Sequence, residues 1–334
     1  MLSTLLFLLS LSTTAFANTV CKDNNGKNVD WYIFYKLPKL KTAEADVDGL
    51  DSGVAMLYMD SNKRSWVKLD HGIDTNKQAV YYTLQQYYEM DSSKTFSMMY
   101  NDEWPDSSVW SEDSGHCKGV TVFDESSGFW LIHSVPRFPS NNTYSYPSNA
   151  YRYAQHGLCV SFSYSALNDI STQLFYIDPY TYQINLPPKF ENKFPTLLAL
   201  KNGKSQKTEP YISQKVLKSR GGHAFKHFGK AGGFGKDLYF DLVAPSLKTS
   251  LKVLNVKTIS LPFSVTFDNY QDHSKFAVAY TSQARSNAVP YVCIGDINRQ
   301  QHQLQRGGGT MCIFDFSVHN AYSTLVSGVD ECEK

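Results

Sequence analysis

The sequence predicts a mixed α/β or α+β fold, and two kinds of local pattern support that prediction. Short runs rich in aromatic and β-branched residues predict strands, and several are almost continuously apolar, which is typical of strands buried on both faces. Other segments have helical spacing or composition. The predicted strands cover residues 31–35, 54–58, 128–132, 276–280 and 311–316, and the predicted helices cover residues 76–89, 195–200 and the start of 318–326.

The N-terminus has the pattern of a secretory signal peptide. An apolar run over residues 2–11 is followed by small residues, Ala15 and Ala17, that suit signal peptidase, and the run is too short for a stable transmembrane helix. We therefore predict a signal peptide at residues 1–17 and a mature chain that begins at Asn18. Charged or amide residues interrupt every later apolar stretch, so we expect no membrane anchor.

Composition bounds the function only loosely. The 334 residues include 22 Tyr and 20 Phe, so the chain is long and aromatic enough for a sizeable core. With 32 Lys and Arg against 31 Asp and Glu, the overall charge does not indicate a polyanionic partner. A nucleic-acid site would therefore have to come from local clustering of charge.

The six cysteines are interpreted as disulfide formers, because secreted proteins fold in oxidising compartments. Cys293 and Cys312 flank one polar, Gly-rich loop and predict a local disulfide. Cys21 paired with Cys159 would connect the start of the mature chain to its middle. The two cysteines that remain are Cys117 and Cys332, which either pair with each other or stay free thiols.

One glycosylation sequon is present. It begins at Asn141 and lies in a stretch rich in Pro, Ser and Asn, which predicts an exposed loop able to carry a glycan. Together with the signal peptide, the sequon indicates a lysosomal or secreted protein.

One local pattern occurs twice, about half the chain length apart. His116-Cys117-Lys118 and His273-Ser274-Lys275 each lead into an apolar, β-branched or aromatic run. Residues two apart in a strand share a face, so each copy would project a histidine and a lysine together. By the same alternation Cys117 points to the opposite face, which argues against a cysteine nucleophile.

Paired histidines and lysines suit phosphodiester chemistry. A neutral imidazole can attack phosphorus while a second, protonated imidazole gives its proton to the leaving oxygen, and two ammonium groups stabilise the added negative charge. This chemistry needs no metal ion. A single His-x-Lys tripeptide is weak support, because such a pair at a strand edge is often solvated surface.

The segments around both copies resemble those of the deoxyribonuclease II family, in the family's order and through nearly the whole mature chain. The residues that carry the resemblance lie in segments 30–38, 114–119, 128–136, 158–162, 237–245, 272–275, 293–299 and 306–312.

The resemblance implies the phospholipase D-like fold, in which two similar sheet-and-helix halves share one active site across their interface. We place the halves at residues 18–185 and 186–334. It further implies an acid endonuclease that cuts double-stranded DNA without metal or other cofactor, leaving 3′-phosphate and 5′-hydroxyl ends through a phosphohistidine. We expect a monomer or homodimer that degrades engulfed, apoptotic or ingested DNA.

Roles follow from matching the family's motifs to this sequence. We favour His116 as nucleophile and His273 as general acid, although exchanged roles fit a symmetric site equally. Lys118 and Lys275 are predicted to bind phosphate. Asn298 is predicted to donate to phosphate or orient an imidazole. His133 is the remaining candidate: it either supports the active site or is simply a hydrogen-bonded strand histidine.

A basic segment over residues 214–236 contains no acidic residue and interleaves lysines with phenylalanines. Such a segment suits contact with a DNA backbone, and a solvated surface loop has the same composition. We take Lys226 and Lys230 from it, and Arg299 from a later segment, as candidate DNA contacts.

Two other functions remain open at this stage. The chain could be a catalytically silent family member that binds DNA or proteins, or a secreted phosphodiesterase that acts on lipid. The two intact His-x-Lys copies argue against the first. The resemblance outside the motifs and the lack of an obvious lipid-binding segment argue against the second.

Overall fold

A computed structural model describes residues 18–41, 45–248, 253–279 and 289–330. Within these residues, three antiparallel sheets pack with six α-helices, which confirms the predicted mixed α+β class. The predicted signal peptide at residues 1–17 lies outside the described part. No helix in the described residues is long and apolar enough to cross a membrane.

The largest sheet has eight strands, and its central strands are buried on both faces. All six residues of its strand Trp31–Lys36 are buried, which explains why these runs are almost continuously apolar. In chain order the strands are β1 (Trp31–Lys36), β2 (Met56–Asp60), β3 (Val67–Lys68), β4 (Phe96–Asn101), β5 (Lys118–Phe123), β6 (Ser127–His133), β7 (Gln155–Ser163) and β8 (Thr181–Asn185). Their order across the sheet is β3-β2-β1-β7-β6-β5-β4-β8.

The later part of the chain forms a five-stranded and a three-stranded sheet within the described residues. The five-stranded sheet has the order β13-β14-β15-β10-β9, and the three-stranded sheet has the order β12-β11-β16. Their strands are β9 (Ile212–Lys218), β10 (Ala224–Lys230), β11 (Asn255–Leu261), β12 (Val265–Asp268), β13 (Phe276–Val278), β14 (Tyr291–Gly295), β15 (Gly308–Phe314) and β16 (Val326–Asp330).

Helices cover the outer faces and fill the space between the sheets. They are α1 (Ala79–Tyr88), α2 (Leu167–Ile177), α3 (Pro188–Lys193), α4 (Pro195–Lys201), α5 (Ala244–Leu247) and α6 (Phe316–Ser323). α1 packs on one face of the eight-stranded sheet, and α2 contacts β9, β10 and β15 of the five-stranded sheet.

A single apolar core joins the two larger sheets. It combines Trp31 and Ile33 of β1 with Phe225 of β10, Ile294 of β14 and Met311 of β15, all at most 1% exposed. Burying each such side chain contributes about 1.5–3 kcal/mol. This core fixes the position of the later sheet against the earlier one, and therefore the position of one His-x-Lys copy against the other.

The predicted elements are found with shifted ends. The predicted strand 311–316 ends at Phe314, because the Asp315 side chain accepts from two amides and starts α6 at Phe316. The predicted helix 76–89 begins only at Ala79, because Gln78 caps it in the same way. Residue 280, the end of another predicted strand, lies outside the described residues.

Both predicted disulfides are confirmed. One joins Cys21 to Cys159, and the other joins Cys293 to Cys312 across the paired strands β14 and β15. Cys117 is a buried free thiol. Its alternative partner, Cys332, lies outside the described residues.

The sequon asparagine, Asn141, is exposed on an irregular segment between β6 and β7. Its position suits a glycan, and its glycosylation stays a prediction.

Candidate active site

The two His-x-Lys copies meet at one end of the eight-stranded sheet. The first copy leads into β5. The second copy lies beside the start of β7, where the His273 amide donates to the Ala154 carbonyl at 3.0 Å. Each copy leads directly into a strand, as the sequence predicts: His116 comes just before β5, and residues 273–275 come just before β13. Contacts to the other half of the chain hold both backbones in place.

A buried carboxylate, Asp102, organises the first copy. It follows β4, is 5% exposed, and accepts from His116 Nδ1 at 2.7 Å and from the Lys118 ammonium. Burial disfavours its charge, but Lys118 and His116 outweigh burial and hold the pKa of Asp102 below its usual value. Burial and the Lys118 charge lower the pKa of His116 to about 3, against the raising effect of Asp102.

Arg306 connects this carboxylate to the later half of the chain. Its guanidinium donates to Asp102 Oδ2 at 3.1 Å, to the Ser111 carbonyl at 2.9 Å and to the Ser114 carbonyl at 2.8 Å. The next residue, Gly307, accepts from the His116 amide at 2.9 Å. The later half therefore fixes the backbone and the hydrogen-bond partner of His116.

Close packing explains one glycine of the first motif. A Cβ atom on Gly115 would stand 1.9 Å from the Ile177 carbonyl oxygen at the end of α2. The same carbonyl accepts from Cys117 Sγ at 3.6 Å. The cysteine thus points into the core and away from His116, as the strand alternation predicted.

The second copy is held mainly by the earlier half of the chain. Tyr35 of β1 donates to Asp272 Oδ2 at 2.8 Å, and His156 Nδ1 of β7 accepts from the Lys275 amide at 3.0 Å. The Lys275 ammonium donates to the His273 carbonyl. The exposed His273 ring stacks on Tyr153, with 4.0 Å between ring centroids and 5° between planes.

The charges of the two copies act on each other. Partial burial of the His273 ring and the charges of Lys275 and Lys118 lower the pKa of His273 to about 4. Burial and Lys118 lower the pKa of Lys275 to about 8. Lys275 in turn contributes to the lowered pKa of His116. Both pairs therefore face one common site, where a negatively charged group would relieve the repulsion among the cations.

The two supporting candidates lie close to this site. His133 ends β6, where its Nδ1 accepts from the Val135 amide at 3.2 Å, and burial and the Lys118 charge lower its pKa to about 3. It is thus a hydrogen-bonded strand histidine that also lies near Lys118. Asn298 lines the same cleft as Lys275.

The structure corrects part of the predicted DNA surface. The basic segment is a hairpin of β9 and β10, and Lys230 within it is 1% exposed. Its ammonium donates to the Leu304 and Arg306 carbonyls at 2.8 and 2.7 Å. The prediction that Lys230 contacts DNA is therefore wrong, because this lysine supports the loop that carries Arg306.

The other two candidates remain predictions. Lys226 is half-buried on β10, with its ammonium 4.9 Å from the centre of the Phe228 ring. Arg299 pairs with Asp237 at 2.8 Å and donates to Asn255 at 2.6 Å, so part of its guanidinium is already used within the protein.

No group of three or more His, Cys, Asp or Glu side chains in the described residues is arranged to hold a metal ion.

Sequence reasoning gave no role to four residues that shape the site. All four contact one of the two His-x-Lys pairs or its backbone: Asp102, Arg306, Tyr153 and His156. Only Asp102 has a local signal, since it is an acidic residue placed directly after the apolar run of β4. The others are recognisable only from contacts between distant segments.

Comparison with known proteins gives consistent matches across the chain. The sequence model described as Deoxyribonuclease II matches residues 20–253 and 249–332. The chain is 47% identical to "Cell death-related nuclease 6" of Caenorhabditis elegans, over 100% of this chain and 95% of that protein. It is 38% identical to "Deoxyribonuclease-2" of the same species, over 97% of this chain and 96% of that protein. It is 37% identical to "Deoxyribonuclease-2-alpha" of Rattus norvegicus, over 93% of this chain and 94% of that protein.

Proposed function

The chain belongs to the deoxyribonuclease II family, and on that premise we propose that it cuts double-stranded DNA at its two histidine–lysine pairs without a metal ion. The cut leaves 3′-phosphate and 5′-hydroxyl ends. One observation carries the proposal: the pairs from residues 116–118 and 273–275 lie beside the two strands that flank β6, at one end of the eight-stranded sheet, close enough that the Lys118 and Lys275 charges each lower the pKa of the histidine in the other pair. Each half of the chain supplies one pair: residues 18–185 supply the first, and residues 186–334 supply the second.

The two histidines have different surroundings, which supports different roles. The Nδ1–H group of neutral His116 donates to Asp102, which leaves the Nε2 lone pair free to attack phosphorus. His273 is exposed and packs on Tyr153, so its ring nitrogens can exchange protons with solvent. We therefore assign His116 as nucleophile and His273 as general acid.

The first chemical step forms a phosphohistidine. Nε2 of His116 attacks phosphorus, the bond from phosphorus to the 5′-oxygen breaks, and protonated His273 gives its proton to that oxygen. Lys118 and Lys275 each keep N–H donors beyond those already used, and these bind the phosphate oxygens as charge grows.

The second step releases the enzyme. Neutral His273 takes a proton from water, the resulting hydroxide attacks phosphorus, and the phosphorus–nitrogen bond breaks. The products are a 3′-phosphate end and His116 in its original neutral form. Asp102 keeps the His116 ring in one orientation through both steps.

Plasmid cleavage in EDTA tests this proposal. The purified mature protein is expected to nick and linearise supercoiled DNA at pH 5 with EDTA present, because its own side chains supply both proton transfer and charge stabilisation. A polynucleotide kinase that labels the 5′ ends of the products without prior phosphatase treatment shows that the cut leaves 5′-hydroxyl groups. Loss of cutting in EDTA would contradict the mechanism, and absence of cutting under all conditions would favour a silent DNA-binding protein.

The rate should rise as the pH falls. His273 must be protonated to act as acid, and its pKa of about 4 lies below the ordinary imidazole value of about 6.5, so the protonated fraction grows about tenfold per unit between pH 7 and pH 5. His116, with a pKa of about 3, stays neutral over this range. We expect kcat/KM to increase by about 100-fold from pH 7 to pH 5 at constant ionic strength. An increase toward pH 7 would contradict the assignment.

Engulfed, apoptotic or ingested DNA is the proposed source of substrate. The name of one relative, a cell death-related nuclease, supports a role in clearing DNA from dying cells. A lysosomal or secreted location suits an enzyme that gains activity as the pH falls. Accumulation of undegraded DNA in phagocytic or gut cells after removal of this protein would support the proposal, and normal clearance would contradict it.

A further inference from the structure

Three side chains form a layered stack beside the proposed general acid. The His273 ring lies parallel to Tyr153, with 4.0 Å between ring centroids. The guanidinium carbon of Arg152 lies 5.1 Å from the centre of the Tyr153 ring. Since His273 covers one face of the tyrosine, the guanidinium lies over the other, as a cation–π contact.

The outer layer of the stack is a cation with no acidic partner in the described residues. Arg152 is exposed, and none of the ion pairs between described residues includes it. A second exposed cation, Lys39, is bound to the same backbone position, since its amide donates to the Arg152 carbonyl at 3.1 Å. The backbones of two exposed cationic residues are therefore paired at this edge of the protein, and the Arg152 guanidinium is the one that lies over Tyr153.

The backbone that carries Arg152 is firmly held. The buried ammonium of Lys36 donates to the Ala150 and Tyr151 carbonyls at 2.7 and 2.9 Å. Two residues after Arg152, the Ala154 amide donates to the Gln271 carbonyl, and the Ala154 carbonyl accepts from the His273 amide. The arginine is therefore fixed relative to His273, which lowers the entropy lost when a ligand binds.

We propose that Arg152, held over Tyr153, binds a phosphate of the DNA strand next to the phosphate being cleaved. The guanidinium lies within about 9 Å of the His273 ring. Successive phosphates of one strand rise ~3.4 Å along the helix axis and lie farther apart than that in space, because the backbone also winds around the axis, so this reach matches a phosphate one or two nucleotides away. The inference rests on the proposed function and extends it from the scissile bond to a neighbouring subsite.

A pair of substrates separates this subsite from the catalytic centre. One is duplex DNA, and the other is thymidine 3′-(p-nitrophenyl phosphate), which contains one phosphodiester and no neighbouring phosphate. Arg152→Gln is expected to raise KM for DNA by about tenfold with kcat little changed, and to alter kcat/KM for the small substrate by less than about twofold. The salt slope of log(kcat/KM) for DNA should fall by ~0.9, as for one lost phosphate contact.

A matched control is Lys204→Gln, which removes an exposed cation after α4 and is expected to leave both substrates unaffected. Arg152→Lys should recover part of the DNA affinity. Equal loss on both substrates would overturn the subsite, because Arg152 would then act through His273. Unchanged DNA kinetics and salt slope would also overturn it. If the wild-type protein cleaves neither substrate in EDTA, the proposed function fails and the subsite fails with it.

Discussion

Replacing His116 with asparagine is expected to lower the rate of DNA cleavage by at least about 1000-fold, because no other group can form the bond to phosphorus. Asparagine retains a polar group near Asp102, so the fold should persist. Single-turnover plasmid nicking in EDTA at pH 5 measures the loss. His71→Asn, at an exposed histidine, is the matched control and should retain full activity.

The leaving group distinguishes the nucleophile from the general acid. His273→Ala should lose DNA cleavage by about 100-fold or more, since the sugar oxygen leaves as an alcohol and needs a proton. With thymidine 3′-(p-nitrophenyl phosphate), the phenolate leaves without protonation, so His273→Ala should form the phosphohistidine almost normally. His116→Asn should fail on both substrates. The reverse pattern would exchange the two assignments.

Replacing Asp102 with asparagine is expected to lower kcat by about 1000-fold and also to destabilise the protein. The change removes the charge that orients His116 and leaves the buried ammonium of Lys118, which is 3% exposed, facing the Arg306 guanidinium. Removing one partner of a buried ion pair typically costs ~3–5 kcal/mol. Nicking kinetics and thermal unfolding measure the two effects.

The stability effect has a defined pH dependence. The pKa of Asp102 is lowered in the folded protein, so its stabilisation is fully present above the unfolded value of about 3.9 and is lost as the pH falls through the lower folded value. The difference in free energy of unfolding between wild type and Asp102→Asn should be the same at pH 7 and pH 5. Asp113→Asn, an exposed change in the same segment, should alter neither activity nor stability. Full activity in Asp102→Asn would contradict the role of this carboxylate.

The contacts of Arg306 and His156 indicate why the catalytic pairs depend on both halves of the chain. Arg306 of the later half binds Asp102, and His156 of the earlier half binds the backbone of Lys275. Each half therefore positions the His-x-Lys pair that the other half supplies. Separating the two halves would remove both sets of contacts at once.

The sequence by itself determined the fold class, the family, both disulfides and the two His-x-Lys pairs that we propose as catalytic. These features are written in local patterns: apolar runs for buried strands, two His-x-Lys tripeptides with their flanking residues, and cysteines whose pairing the structure confirms at 21 with 159 and 293 with 312. Local patterns also placed Cys117 correctly, since alternation beside β5 sends its side chain away from His116.

Only the tertiary structure decided how the site is held and which cations are free. Asp102 and Arg306 are separated by 204 positions, and Tyr153 and His273 approach from different halves, so no local pattern records their contacts. Burial cannot be read from a local sequence pattern either. Lys230 resembles a DNA contact in the sequence, but in the structure its ammonium is enclosed by the carbonyls of the Arg306 loop. The physical reason is that burial and hydrogen-bond partners depend on neighbours in space, which the packing of the two sheets creates.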